Sequence, residues 1–246
     1  ETATVYPAGI TVERTFDGAS RVSAMPGVVR QVEFDERNQP RAITFTNGAK
    51  TQFEYDVRLR PSRLSTSTAD GQAIFDLGFT RTRSGNLTAI TDAATRATRA
   101  RHAARFTSDG WDRVTSSVLE REGGNETLTF AYDTLDNVVS QSSSLGDASP
   151  AHVGDYSYDS SRPNAVKTAG SLAFQYDTAG FLSTRGSAGY EFDHLGRMTR
   201  ATSDGAETGT FFFGAGQSRV LKQEGALSAL TVTPDFEVRD GIAVIY

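Results

Sequence analysis

Tyr176-Asp177-Thr178-Ala179-Gly180-Phe181-Leu182 and, one step further along, Phe192-Asp193-His194-Leu195-Gly196-Arg197-Met198 decide how this chain folds. Each places an aromatic ring, then a carboxylate, then a glycine three residues later, then an apolar side chain two residues beyond that. An Asp bonds backbone N–H groups about two residues ahead and so opens an Asx-type turn. A glycine enters φ > 0 with no Cβ penalty and closes it. Two residues before each ring stands another aromatic, Phe174 and Tyr190, so both rings of a pair share one face of a strand. The segment reads as strand, tight turn and return strand, a β-hairpin.

The same spelling recurs throughout the chain. Phe53-Glu54-Tyr55-Asp56, Phe130-Ala131-Tyr132-Asp133 and Tyr156-Ser157-Tyr158-Asp159 are clear copies. Weaker ones lie at Phe16-Asp17, Phe34-Asp35, Phe79-Thr80-Arg81-Thr82, Phe106-Thr107-Ser108-Asp109 and Phe211-Phe212-Phe213-Gly214. These ten units are spaced by 16 to 27 residues, about 22 on average, within the range of repeat architectures. Hairpins of unequal arm length lying side by side absorb such variation in their loops. Three residues past the Asp position come Gly85, Gly180 and Gly196, or Asn38, Asp112 and Asp136, all types that tolerate φ > 0. Return strands are expected to begin at Val22, Leu87, Val114, Val138, Leu182 and Met198. The two repeat positions take 16 of the 23 Phe and Tyr, a phasing that an unrelated β-sandwich does not produce.

Composition agrees with a thin wall. Hydrophobic residues are 37% of the 246, which favours sheets held by aromatic pairs over a thick aliphatic core. A net charge of -5 offers no basic footprint for nucleic acid. The absence of Cys removes disulfides, Cys-based zinc sites and thiol nucleophiles. No apolar run approaches the roughly 18 residues of a membrane span. Glu1 opens without a charged-then-apolar leader and Tyr246 closes an apolar run, so residues 1–246 are expected to be one repeat array cut from a larger chain.

The two stretches quoted first, with Tyr6-Pro7-Ala8-Gly9, Phe45-Thr46-Asn47-Gly48, Tyr55 to Arg63 and Phe236-Glu237-Val238-Arg239-Asp240-Gly241, resemble the YD repeats of Rhs proteins, of bacterial toxin-complex B and C components and, more distantly, of teneurins. The resemblance implies an all-β fold in which laterally joined antiparallel hairpins form a spiralling ribbon, part of a hollow shell. It implies a wall segment that encapsulates a C-terminal toxin for delivery, in a secreted or cell-surface bacterial protein. Its partners would be the remaining repeats of the same polypeptide, the enclosed cargo and other toxin-complex components, with no nucleic acid. The alternative is an extracellular carbohydrate- or protein-binding adhesion module of the teneurin type. Tyr55, Asp56, Tyr132, Asp133, Tyr158, Asp159, Tyr176, Asp177, Gly180, Phe192, Asp193 and Gly196 are the expected structural repeat residues. Many Rhs shells end in a DPxG-type core motif; Asp240-Gly241 lacks the Pro, so no catalytic residue carries over.

The residues themselves present no catalytic, cofactor or metal set. His102, His152 and His194 are far apart, lack metal-ligand spacing and read as surface loop residues. Gly214-Ala215-Gly216 lacks the third glycine of a dinucleotide fingerprint. Most Asp fall in the turn register, where capping explains them without acid/base chemistry. Arg four residues past Asp17, Asp109 and Asp193 suits an exposed ion pair across the turn. Arg96 to Arg105 is the one basic cluster, read as a solvated hairpin edge rather than an anion patch. Asn86-Leu87-Thr88 and Asn125-Glu126-Thr127 match the glycosylation acceptor pattern and equally suit turns. Ser140 to Pro150 is the expected long loop.

Overall fold

A computed structural model describes residues 3–94, 103–121 and 123–245. These residues form short β-strands joined by turns and loops, with two single-turn 3-10 helices at Pro7–Gly9 and Gly146–Ala148. They form two compact units, residues 1–131 with 140–152 and residues 132–139 with 153–246. In the first, antiparallel neighbours follow chain order from Val29–Phe34 through Pro40–Phe45, Lys50–Tyr55, Pro61–Ser67, Ala73–Arg81, Leu87–Asp92, Ala104–Ser108 and Val114–Arg121 to Gly124–Tyr132. In the second, the same order runs from Gly154–Tyr158 to Ile242–Ile245. The paired neighbours are antiparallel, as short turns between successive strands require.

The return strands begin where the apolar residues place them, at Val22, Leu87, Val114, Val138, Leu182 and Met198. One loop differs from expectation. Val138–Ser143 is strand, so the long connection starts only at Ser144 and contains the 3-10 turn. Its anchor is Glu126, fully buried, whose Oε1 accepts the hydroxyl of Ser143 at 2.7 Å and that of Ser149. His152, expected at the surface, is half-buried at the end of this loop, and its Nδ1 accepts the Ser143 N–H at 3.1 Å. Most of the basic Arg96 to Arg105 cluster, with His102, lies outside the described residues.

Burial is sparse. Among the described residues the buried apolar side chains are Tyr6, Ala42, Ala94, Ala103, Ala104, Ala169 and Phe236. Such a structure gains its stability from ladder hydrogen bonds and from repetition of neighbour contacts, as repeat proteins do. Phe236, 1% exposed, is the exception, and Phe236→Ala is expected to cost about 3–5 kcal/mol. Val57→Ala, at a side chain 96% exposed, should stay within about 0.5 kcal/mol of the parent. Chemical denaturation of the two variants checks the contrast.

Candidate functional site

The site is the repeated turn and the strand ends that enter it. Nine of the ten repeat turns share one backbone geometry: the N–H of the opening residue donates to the C=O four residues on, and the N–H three residues on donates back to the opening C=O. The third residue on has positive φ in each: 61° at Ser20, 65° at Asn38, 61° at Leu59, 119° at Gly85, 66° at Asp112, 65° at Asp136, 91° at Gly180, 75° at Gly196 and 63° at Gln217. This is a type I turn followed by a one-residue bulge, and it matches the right-handed twist of the strands it joins. The bulge appears as a register shift at the last strand residue before the turn, as at Glu54/Tyr55, Gln175/Tyr176 and Glu191/Phe192. Asp159 opens the variant turn, closing to Ala165 instead.

The carboxylate of the opening Asp holds this backbone. Oδ1 of Asp56 accepts the N–H of Arg58 at 2.8 Å and of Arg60 at 3.0 Å; Oδ1 of Asp193 accepts those of Leu195 and Arg197 at 2.9 and 3.0 Å. Asp17, Asp35, Asp109 and Asp133 do the same. Oδ2 is then left for the side chain four residues on, and the guanidinium forks of Arg21, Arg60, Arg113 and Arg197 each meet it at 2.7 Å. These pairs are half-buried rather than exposed. The side-chain bond from Arg60, with the backbone bonds behind it, holds the Asp56 carboxyl down to about 2; the Arg197 guanidinium does the same for Asp193.

The tyrosine that precedes the Asp ties its hairpin to the previous one. Tyr55 Oη donates to Pro40 O at 2.9 Å, Tyr158 Oη to Val138 O at 2.7 Å and Tyr176 Oη to Val166 O at 3.1 Å. Each acceptor is the first residue of the preceding hairpin's return strand, next to its bulge. Burial pushes the phenols of Tyr55 and Tyr158 up, keeping them protonated donors. Tyr132 and Phe192 end their strands in the same register. The opposite face is polar: Arg63 joins Glu54 to Asp76, and Arg200 joins Glu191 to Glu207.

All twelve sequence-assigned repeat residues thus stand at strand ends or in turns. The sequence reading missed Arg60, whose turn has Leu59 where Gly, Asn or Asp was sought, and it missed the Tyr acceptors, which are backbone carbonyls. A cavity of about 300 Å³ lies in the second unit, and four of its charges are paired, Lys222 with Glu224 and Arg239 with Glu237. Among the described residues no three His, Asp or Glu gather as a metal site, and no helix is long and apolar enough to cross a membrane.

The teneurin YD-shell family matches residues 37–231. The chain belongs to that family. No curated protein matches it. Among solved structures, a chain of the Photorhabdus luminescens Tc holotoxin pore superposes with a TM-score of 0.80 at 15% identity, covering 96% of this YD-shell chain and 14% of that one. The TcdB2-TccC3-Cdc42 crystal structure gives 0.79 at 14% identity, covering 93% and 13%; TcdB2-TccC3 gives 0.77 at 15%, covering 93% and 14%. The likeness is one of fold, and the YD-shell chain spans about a seventh of those solved chains.

Two outcomes test the turn. Folded Asp56 and Asp193 titrate below their ordinary value, so the stability they contribute is complete above about pH 4 and is lost as pH falls toward about 2. Asp193→Asn should flatten that acid slope in denaturation midpoints measured between pH 4.5 and pH 2, a window set by this linkage over roughly two units. Tyr176→Phe, which loses one hydrogen bond, should cost about 1 kcal/mol, and Tyr176→Ala about 3 kcal/mol.

Proposed function

We propose that this chain is a wall segment of a larger YD-repeat shell that encloses a polypeptide cargo and shields it until delivery. The lattice of latched turns carries the reading. Most of the repeat hairpins close on an Asp, and Tyr55, Tyr158 and Tyr176 fasten theirs to the hairpin before. A sheet so fastened opens locally only at a high free-energy cost, which excludes proteases. Its small buried core and paired charges suit a partition rather than a reaction site.

On this reading residues 1–246 are one array of about ten units within a longer secreted or surface protein, and the repeat residues from Tyr55 to Gly196 act as its fasteners. Its partners are the remaining repeats, a downstream toxin segment and other toxin-complex components; the wall itself is not an enzyme. The fold shared with Tc toxin chains and the family match support this assignment.

Limited proteolysis of the full-length protein tests it. The downstream segment should survive in the native protein and be digested once residues 1–246 are removed. Equal digestion in both would replace enclosure by the teneurin-like adhesion role.

A further inference from the structure

Successive turns touch through a matched pair of positions. The first member is the side chain four residues after one turn's opening residue; the second is the left-handed residue of the next turn. Arg21, already forked on Asp17, sends its third nitrogen to Asn38 Oδ1 at 2.7 Å. Asn86 Nδ2 donates to Asp112 Oδ1. At two glycines the first member instead fills the space that a Cβ would take. A Cβ on Gly85 would lie 2.8 Å from the Arg60 guanidinium, and a Cβ on Gly196 would lie 2.6 Å from the Phe181 ring. The same first members also plate the next hairpin's aromatic: Arg21 sits 4.2 Å above Phe34, Phe181 stacks on Phe192 at 5.1 Å, and Arg197 sits 4.7 Å above Phe213.

We infer that these two positions form a side-chain code that couples each turn to the next along the turn edge. Arg21 and Asn86 donate to a left-handed Asn and Asp, whereas the Phe181 ring covers a left-handed Gly. The left-handed position is therefore doubly constrained. Its backbone favours Gly, Asn or Asp, and the side chain of the preceding turn bonds or covers it at Asn38, Asp112 and Gly196. A hairpin whose left-handed residue mismatches the preceding turn loses either the hydrogen bond or the room for the plate. The inference is independent of what the wall encloses.

The test is a swap in the intact protein, read by amide hydrogen exchange at residues 193–197. Asn38 occupies the left-handed region at φ 65°, so Gly196→Asn keeps the added backbone strain small beside the clash with Phe181. That variant should lower protection of the turn by roughly tenfold. Phe181→Arg combined with Gly196→Asn rebuilds the Arg21–Asn38 pair and should restore protection to within about twofold. Phe181→Ala combined with Gly196→Asn removes the clash without the bond and should fall between. If Gly196→Asn fails to fold, recovery of folding by the added Phe181→Arg supports the code equally. Full protection in Gly196→Asn alone, or losses that simply add in the double variant, overturns it. Asn86→Ala and Asp112→Ala give a second reading at exposed side chains. The double variant should lose no more protection than the worse single, and additive losses would count against the pairing.

Discussion

A carboxylate that accepts two backbone N–H groups across a five-residue turn is the interaction on which the remainder depends. It satisfies donors that the bulge withdraws from the ladder, and a buried or half-buried donor without a partner costs roughly 1–3 kcal/mol. With the turn held, the strand before it ends at a defined residue, the register of the return strand follows, and both aromatics are set on one face. Thr82 and Gly214 show how far the backbone tolerates other openers. Thr82 substitutes its hydroxyl for the carboxylate, and Gly214 closes the same turn by backbone bonds alone.

From that turn the fasteners follow in order of reach. The Arg fork on Oδ2 stiffens the loop, the phenol reaches back to a carbonyl beside the preceding bulge, and the side chain after the bulge reaches forward to the next turn. Each bond is modest alone. A repeat protein sums such neighbour terms, so the wall needs few buried apolar residues. Among the described residues Phe236 and Glu126 are accordingly the fully buried large side chains, while Trp111, at a turn tip, is 79% exposed. Polar ladders such as Glu54–Arg63–Asp76 lie on the second face, where they are worth little energetically.

Hairpin identity was determined by the sequence itself, because an Asx turn, a residue with φ > 0 and a period-2 aromatic pair are local facts that need no distant partner. Asp17, Asp56, Asp109 and Asp193 with their Arg partners belong to this class, being four residues apart. Even here Leu59, Ser20 and Gln217 adopt the left-handed conformation against their type, since turn closure on both sides imposes it. What only the tertiary structure decided is everything between hairpins. The acceptors of Tyr55, Tyr158 and Tyr176 are carbonyls, which every residue carries and no sequence distinguishes. The burial of Glu126 under Ser143 and Ser149, and the contact of Phe181 with Gly196, join residues whose separation is set by strand length and lateral stacking, so they exist only once neighbouring hairpins lie side by side.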